Sequence, residues 1–260
     1  MALPWALTAR LAPRHGATTQ TRNREVPPLT TDIQWKYRED SSDLSVINST
    51  MLHDEYGLKD LPPLSGWALD IGAHIGSVTV PLALDHPDLR IIAVEALSDN
   101  VEVLRENVAN NDLTDRVIVK HAAIAAENGF TEVWSHFKKI EGVADPFLYD
   151  NRFIGNIYNK PGKHPEAEFH RETVEGITLS TLLEDYDILD VVFTKTDCEG
   201  GEWALLEDPA VAALHYIVGE YHDRTENDLF ETLHLTHDVT TFPAAEEHDG
   251  GIGLFWAVAR

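Results

Sequence analysis

The segment Trp67-Ala68-Leu69-Asp70-Ile71-Gly72-Ala73-His74-Ile75-Gly76-Ser77 constrains the fold more than any other stretch. A short apolar run enters a turn with two glycines, and residues 77–86 follow with helical length and apolar positions at Val78, Pro81, Leu82 and Leu84. This reads as a buried strand, a tight turn and a helix. Glycines at such a turn let backbone N–H groups and a helix N-terminus approach a ligand closely. The next apolar run, Leu89-Arg90-Ile91-Ile92-Ala93-Val94-Glu95, has the character of a buried parallel strand ending in an acid. The two runs form a β-turn-α-β unit with Glu95 at the tip of its second strand. An acid placed there accepts both ribose hydroxyls of a bound nucleoside.

The turn has the pattern D-x-G-x-x-x-G, which differs from the dinucleotide fingerprint G-x-G-x-x-G. Asp70 would repel a pyrophosphate and suits a ligand with a cationic amino group, such as S-adenosylmethionine (SAM). The turn therefore points to methyl transfer rather than hydride transfer. Two alternatives stand beside it: an NAD(P)-dependent Rossmann oxidoreductase built on the same unit, and a non-catalytic SAM-binding module.

At 260 residues the chain has room for one large α/β domain with an appendage. Lys and Arg number 20 against 44 Asp and Glu, a formal charge of −24. So acidic a surface repels nucleic acid phosphates and anionic membranes, and favours a neutral or cationic small-molecule acceptor. The charge is uneven, with Arg10, Arg14, Arg22 and Arg24 making the N-terminal arm basic. That arm lacks the apolar core of a signal peptide, and no apolar run approaches the ~20 residues that span a bilayer. Cys198 is the single cysteine, which excludes an internal disulfide and fits a reducing cytoplasm. Self-association is left open.

Composition divides the chain into a basic flexible arm (1–30), an N-terminal cap (31–66) closed by Pro62-Pro63, and the main domain (67–260). Within the main domain, Ser98 reads as the N-cap of a helix over roughly 99–111, with Val101, Leu104 and Val108 on one face. Val117-Ile118-Val119 is a third strand. The turn at 121–123, including Ala122, falls near the ligand beyond the strand ends. Residues 130–176 depart from βα alternation. Thr131–Trp134 has strand character, and the remainder carries Gly and Pro with the aromatics Phe147, Tyr149, Phe153 and Tyr158. We read this region as a substrate-recognition insert or lid. Thr178–Leu183 is a short helical segment, and 188–197 is a core strand followed by a helix near 201. Residues 215–222 form a fifth strand, and Leu233–Thr241 pairs with Ile252–Val258 as a terminal hairpin.

With D-I-G-A-H-I-G-S at 70–77, Glu95 at a strand end and K-T-D-C-E-G-G-E at 195–202, the chain resembles the FkbM family of methyltransferases. The likeness covers roughly 65–222, and G-G-I-G-L-F-W-A at 250–257 is similar to the family's terminal strand. Gly201 departs from the alanine often found there. The resemblance implies a class I Rossmann-like methyltransferase fold, with a mostly parallel seven-stranded sheet and an antiparallel terminal strand. It also implies SAM as donor and an oxygen acceptor on a natural product or sugar. The donor site would draw on Asp70, Gly72, Ala73, His74, Gly76, Ser77, Glu95, Ala96, Ala122 and Asp197.

Methyl transfer from a sulfonium needs alignment above all, and a hydroxyl acceptor also gains from a general base. Asp197, Glu199 and His222 are the candidates at the strand ends. A neutral imidazole is available at pH 7 from an unperturbed histidine, and Glu220, two residues before His222, shares its face and could orient it. Asp197 has other readings, as a contact to the amino-acid part of SAM or as a helix cap with Glu199. Lys195 reads as neutralising this acidic cluster, and Tyr56 lies near the turn. Asp197, Glu199, Glu220 and His222 also offer donors suited to Mg²⁺ or Mn²⁺. No H-x-x-H or C-x-x-C spacing supports a dedicated site, so no metal ligand is assigned.

Overall fold

The computed structural model describes residues 32–39, 41–137, 155–156, 168–243 and 252–260. Eleven strands follow in order: β1 (Gly66–Ile71), β2 (Leu89–Glu95), β3 (Val117–His121), β4 (Ala123–Ile124), β5 (Gly129–Phe137), β6 (Gly155–Asn156), β7 (Glu168–Ile177), β8 (Phe193–Thr196), β9 (Tyr216–Tyr221), β10 (His237–Pro243) and β11 (Gly253–Ala259). The described residues also form six α-helices, the first ahead of β1 and the others between strands: α1 (Asp43–Asn48), α2 (Thr79–Asp85), α3 (Ser98–Asn110), α4 (Leu179–Asp185), α5 (Glu202–Leu206) and α6 (Glu226–Leu233).

Seven strands make the main sheet in the order β10-β11-β9-β8-β1-β2-β3. β3, β2, β1, β8 and β9 run parallel, and β11 is antiparallel to both β9 and β10. This is the class I methyltransferase arrangement expected from the sequence. The chain leaves β1 toward β2 on one side and returns to β8 on the other. A crevice therefore opens at the carboxyl ends of β1, β2 and β8, where open α/β sheets bind ligands.

Both faces of the sheet are covered, which is why β2 reads as a continuous apolar run. Leu69, Ile71, Ile92, Val94, Ile217 and Phe255 pack against α4, α5 and α6 through Leu179, Leu182, Trp203, Leu205 and Leu229. Ala68, Ile91, Ala93, Phe193 and Val218 pack on the opposite face against Val80, Leu82, Leu104 and the cap residues Tyr56 and Leu58. Arg90 is exposed, and its guanidinium carbon lies 4.3 Å from the centroid of the Trp67 ring, a cation–π contact.

Several local expectations change. Ser98 does not cap α3: the N-cap is Leu97, and the Ser98 amide and hydroxyl both donate to the Glu172 carboxylate of β7. The core strand expected over 188–197 narrows to β8, preceded by a single bridge from Val191 to Leu214, and Leu189 is exposed. Leu233 ends α6 rather than starting the terminal hairpin. The helix α6 was missed, although Thr225 and Asp228 close a capping box at its start.

The roots of the 130–176 insert are a nine-pair antiparallel ladder, Gly129–Phe137 against Glu168–Gly176, within a second sheet ordered β4-β7-β5-β6. The expected loop is thus a β-arm at both ends. Phe147, Tyr149, Phe153 and Tyr158 lie outside the described residues, as does the expected arm 1–30. Among the described residues, no helix is long and apolar enough to cross a membrane.

Candidate active site

A cavity of about 820 Å³, its open mouth included, lies at the carboxyl ends of β1, β2 and β8. Gly72, His74 and Ser77 line it from the first turn, and Glu95, Ala96 and Asn100 from the end of β2 and the start of α3. Ala122, Ala123, Ile124 and Val133 form an apolar side. Lys195, Asp197, Cys198, Glu199 and Gly201 form the opposite side, and Val46 and Tyr56 reach in from the cap.

Glu95 is buried and held in place by the backbone. Oε2 accepts the His74 amide at 2.8 Å, and Oε1 accepts the Leu97 amide at 2.8 Å and the Asn100 side chain at 3.3 Å. Burial pushes its carboxyl up, and these three donors pull against that. A carboxylate has about four lone-pair sites, so Glu95 retains acceptor capacity toward the cavity. Asn100 is fixed in turn by Arg38 of the cap, whose guanidinium also pairs with Asp43 at 2.8 Å. Asp43 is fully buried, and Arg38 and His74 lower its pKa against the opposing effect of burial.

Asp70 sits one layer behind the cavity rather than facing it. It is fully buried, accepts Thr79 Oγ1 at 2.6 Å and lies 3.6 Å from Lys195 Nζ. Its position suits anchoring the start of α2 and the lysine more than touching a ligand. Ala73 and Gly76 likewise stay out of the lining. At Gly76, φ is +92° and a Cβ would meet Leu104 Cδ1 at 2.8 Å, so this glycine serves helix packing. Gly72 does line the cavity. Its φ is +74°, and a Cβ there would strike the Asp197 carbonyl oxygen at 1.9 Å. His74 takes a left-handed φ of 51°. Burial lowers its pKa to about 4 despite Asp43, so the imidazole is neutral at pH 7.

The β8–β9 side is crowded with charge. Lys195 donates to the Gly72 carbonyl at 2.7 Å and lies 4.0 Å from Asp197 Oδ2. Burial would lower its pKa, but Asp70 and Asp197 outweigh that and raise it. Tyr56 donates to Asp197 Oδ2 at 2.9 Å. Glu199 occupies a left-handed φ of 54° and accepts no hydrogen bond among the described residues. Burial and the nearby acids push Glu199 and Glu55 each up to about 8.

His222 departs most from expectation. It is buried, with Nδ1 at 3.1 Å from Glu202 and Nε2 at 3.4 Å from Glu220 and 3.7 Å from Glu199. Burial alone would depress its pKa. Hydrogen bonds to Glu202 and Glu220 and the charge of Glu199 instead lift it to about 12. The neutral imidazole base expected at pH 7 is therefore an imidazolium enclosed by carboxylates, and it does not line the cavity. Glu220 does adjoin it as foreseen.

Sequence reasoning overlooked Glu202, which is fully buried and accepts the amides of Gly200 and His222 together with the imidazole. It lay inside the quoted K-T-D-C-E-G-G-E run, but its partner is 20 residues away. Glu55, Asp43 and Asn100 were also missed: Glu55 faces Glu220 and Asp197 from far along the chain, whereas Asp43 meets Arg38 and Asn100 meets Glu95 only five residues away.

A doubly wound sheet with an acid-tipped second strand, opening onto a cavity with a carboxylate wall, fits the class I methyltransferases. The chain matches the Methyltransferase FkbM domain over residues 70–242 and belongs to that family, which makes it a SAM-dependent methyltransferase. It is also similar to the ribosomal RNA small subunit methyltransferase G of Frankia casuarinae, 30% identical over 103 residues. That match takes in 40% of this chain and 34% of the relative, so the chain spans about a third of that relative's length. Among solved structures it is similar to the precorrin-6y C5,15-methyltransferase of Geobacter metallireducens (TM-score 0.47, 15% identity, 88% of this chain and 96% of that one). An O-methyltransferase from Bacillus cereus in complex with SAH is another (TM-score 0.41, 16% identity, 75% and 74%).

Proposed function

We propose that the chain transfers a methyl group from SAM to a hydroxyl of a small, neutral or cationic molecule of secondary metabolism. The observation that carries the reading is the division of the cavity. Amide-anchored Glu95 stands at one end, and Asp197 stands at the other with Glu199, which accepts no hydrogen bond among the described residues. The residues present suit SAM: Glu95 as acceptor for ribose hydroxyls, the Ala122–Ile124 side for the adenine ring, and the Gly72–Asp197 corner for the ammonium.

When bound, SAM supplies a methyl group already activated on a sulfonium. The chain's own work is then to align the acceptor and remove its proton. A hydroxyl must lose its proton as its oxygen is methylated, and we assign that proton to Glu199. Its carboxyl lines the cavity 3.7 Å from His222 Nε2 and accepts no hydrogen bond among the described residues. With its pKa pushed up to about 8, the ionised fraction that takes the proton grows as pH rises toward 8. Asp197, tied to Tyr56 and beside Lys195, positions the reactants. With no cation bound beside it, His222 is protonated and balances the surrounding acids.

The chain's charge of −24 opposes an RNA acceptor of the kind named for the Frankia relative. With Cys198 the single cysteine, we place the reaction in the cytoplasm.

Calorimetric titration with SAM, its demethylated product and NADH tests the donor. Micromolar binding of the first two and none of NADH is expected, and NADH binding alone would overturn the reading. An acceptor screen reading formation of demethylated product then tests the chemistry. Glu199→Gln should lower the rate about 10²–10⁴-fold with SAM affinity unchanged. SAM binding with no turnover on any hydroxyl or amine would instead indicate a binding module.

A further inference from the structure

The tips of β8 and β9 carry a second constellation, which shares Asp197 with the methyl-transfer reading and adds Glu220 and His222, neither of which that reading places against a reactant. Asp197, Glu220 and His222 each place one ligand atom within 4.8 Å of the others, a spread that one metal ion can bridge. They come from two adjacent parallel strands; His222 is buried, the two acids are partly exposed, and Asp197 is the member that lines the cavity. Nothing in their sequence spacing announces them as a set.

Two features distinguish this group from a chance meeting of acids. The first is the orientation of the histidine. His222 Nδ1 lies 3.1 Å from the fully buried Glu202 carboxylate, which also accepts the His222 amide at 2.6 Å. Ligating histidines are characteristically fixed this way, one ring nitrogen donating to a carboxylate so that the other faces the metal. Here the other nitrogen, Nε2, faces Glu220 at 3.4 Å and Glu199 at 3.7 Å. The second feature is Asp197. Its Oδ2 accepts from Tyr56, while its Oδ1 is shielded from solvent and has no hydrogen-bond partner. A buried carboxylate oxygen without a donor costs free energy that a cation would recover.

We propose that Asp197, Glu220 and His222 form a divalent-cation site of the Mn²⁺ or Mg²⁺ class at the edge of the methyl-donor cavity. Two carboxylates and one imidazole suit these ions, with the remaining positions open to water or to acceptor oxygens. Binding displaces the Nε2 proton of His222 to solvent. An acceptor hydroxyl bound to such an ion releases its proton more readily, and Glu199 stands beside the site to take it. The proposal rests on the strand-tip geometry and does not depend on the donor or acceptor assignments.

The test is a titration of the chelator-treated protein with Mn²⁺, following loss of the free-ion electron paramagnetic resonance signal. One saturable site per chain is expected, weakened at least tenfold in Glu220→Gln and in His222→Gln. Circular dichroism melts establish that these variants fold. For a variant that does not fold, pulsed resonance on the Mn²⁺-loaded wild type reads the same point, because a ligating imidazole gives a nitrogen coupling. Weak, non-saturable adsorption by the acidic surface would overturn the proposal, as would the absence of nitrogen coupling or unchanged affinity in both folded variants. SAM titration is run separately. SAM binding without Mn²⁺ binding sinks this site alone, and Mn²⁺ binding without SAM binding sinks the donor reading alone.

Discussion

The β1–β2 and β8–β9 ends of the sheet both present acids to one cavity, but they hold them in opposite ways. At β1–β2, Glu95 takes two backbone amides and an asparagine, and Asp70 takes a threonine on Oδ2 while its Oδ1 faces the Lys195 ammonium at 3.6 Å. Each acid has at least one fixed donor before any ligand arrives. At β8–β9, Asp197, Glu199, Glu202, Glu220 and the cap's Glu55 crowd around Lys195 and His222, and two of the acids are pushed up to about 8. Preorganised dipoles suit a site that holds a ligand of constant shape. Unmet charge suits a site where protons or cations come and go. On this contrast, donor binding should depend on the first end and proton handling on the second.

The largest expected effect tests whether the crowded end is held by its buried charge. Glu202→Leu leaves the His222 charge without its innermost partner, and breaking a buried pair in this way costs about 3–5 kcal/mol. Urea denaturation measures it. A loss under 1 kcal/mol would mean that Glu202 does not anchor the cluster.

The next effect lies at the quiet end. The folded-state pKa of His74 is about 4, below its ordinary value of 6.5. Between those values the unfolded chain binds more protons, so this contribution is whole above pH 6.5 and is lost as pH falls toward 4. The full span is at most about 3 kcal/mol. His74→Asn should flatten the slope of stability between pH 6.5 and 4, read from urea midpoints across that range. Parallel slopes in the two proteins would contradict a buried neutral imidazole.

Glu95→Ala should weaken SAM binding by about 1–3 kcal/mol through loss of charge-assisted hydrogen bonds. Calorimetry decides it, and unchanged affinity would remove Glu95 from the donor site. Smallest is Tyr56→Phe, which deletes the hydroxyl donated to Asp197 and should cost about 0.5–1.5 kcal/mol of stability. A melting temperature indistinguishable from wild type would show the cap hydroxyl to be dispensable.

What could be read from the sequence was local. The strand at Trp67–Ile71, the glycine turn and the acid after Val94 are consecutive signals, and the structure places them in one β-turn-α-β unit. The arm was harder: the two segments of the β5–β7 ladder are separated by a Gly- and Pro-bearing stretch that hides their pairing. Helix α6 is only eight residues long, too short for periodicity to announce, though its Thr225–Asp228 cap was visible. The ionisation of His222 was out of reach, because it is set by carboxylates contributed by Glu199, Glu202 and Glu220 from two strand ends. A side chain's charge belongs to its neighbourhood, and neighbourhoods are assembled only by folding.

The contact of Gly72 with the Asp197 carbonyl oxygen has a consequence for descent. Because the donor turn touches the acid-bearing turn through bare backbone, any side chain at residue 72 would displace both at once. A lineage built on this frame cannot re-space its two cavity walls in small heritable steps. Diversification toward new acceptors is left to segments that meet the cavity only through side chains, such as the cap around Tyr56 and the β-arm at Val133.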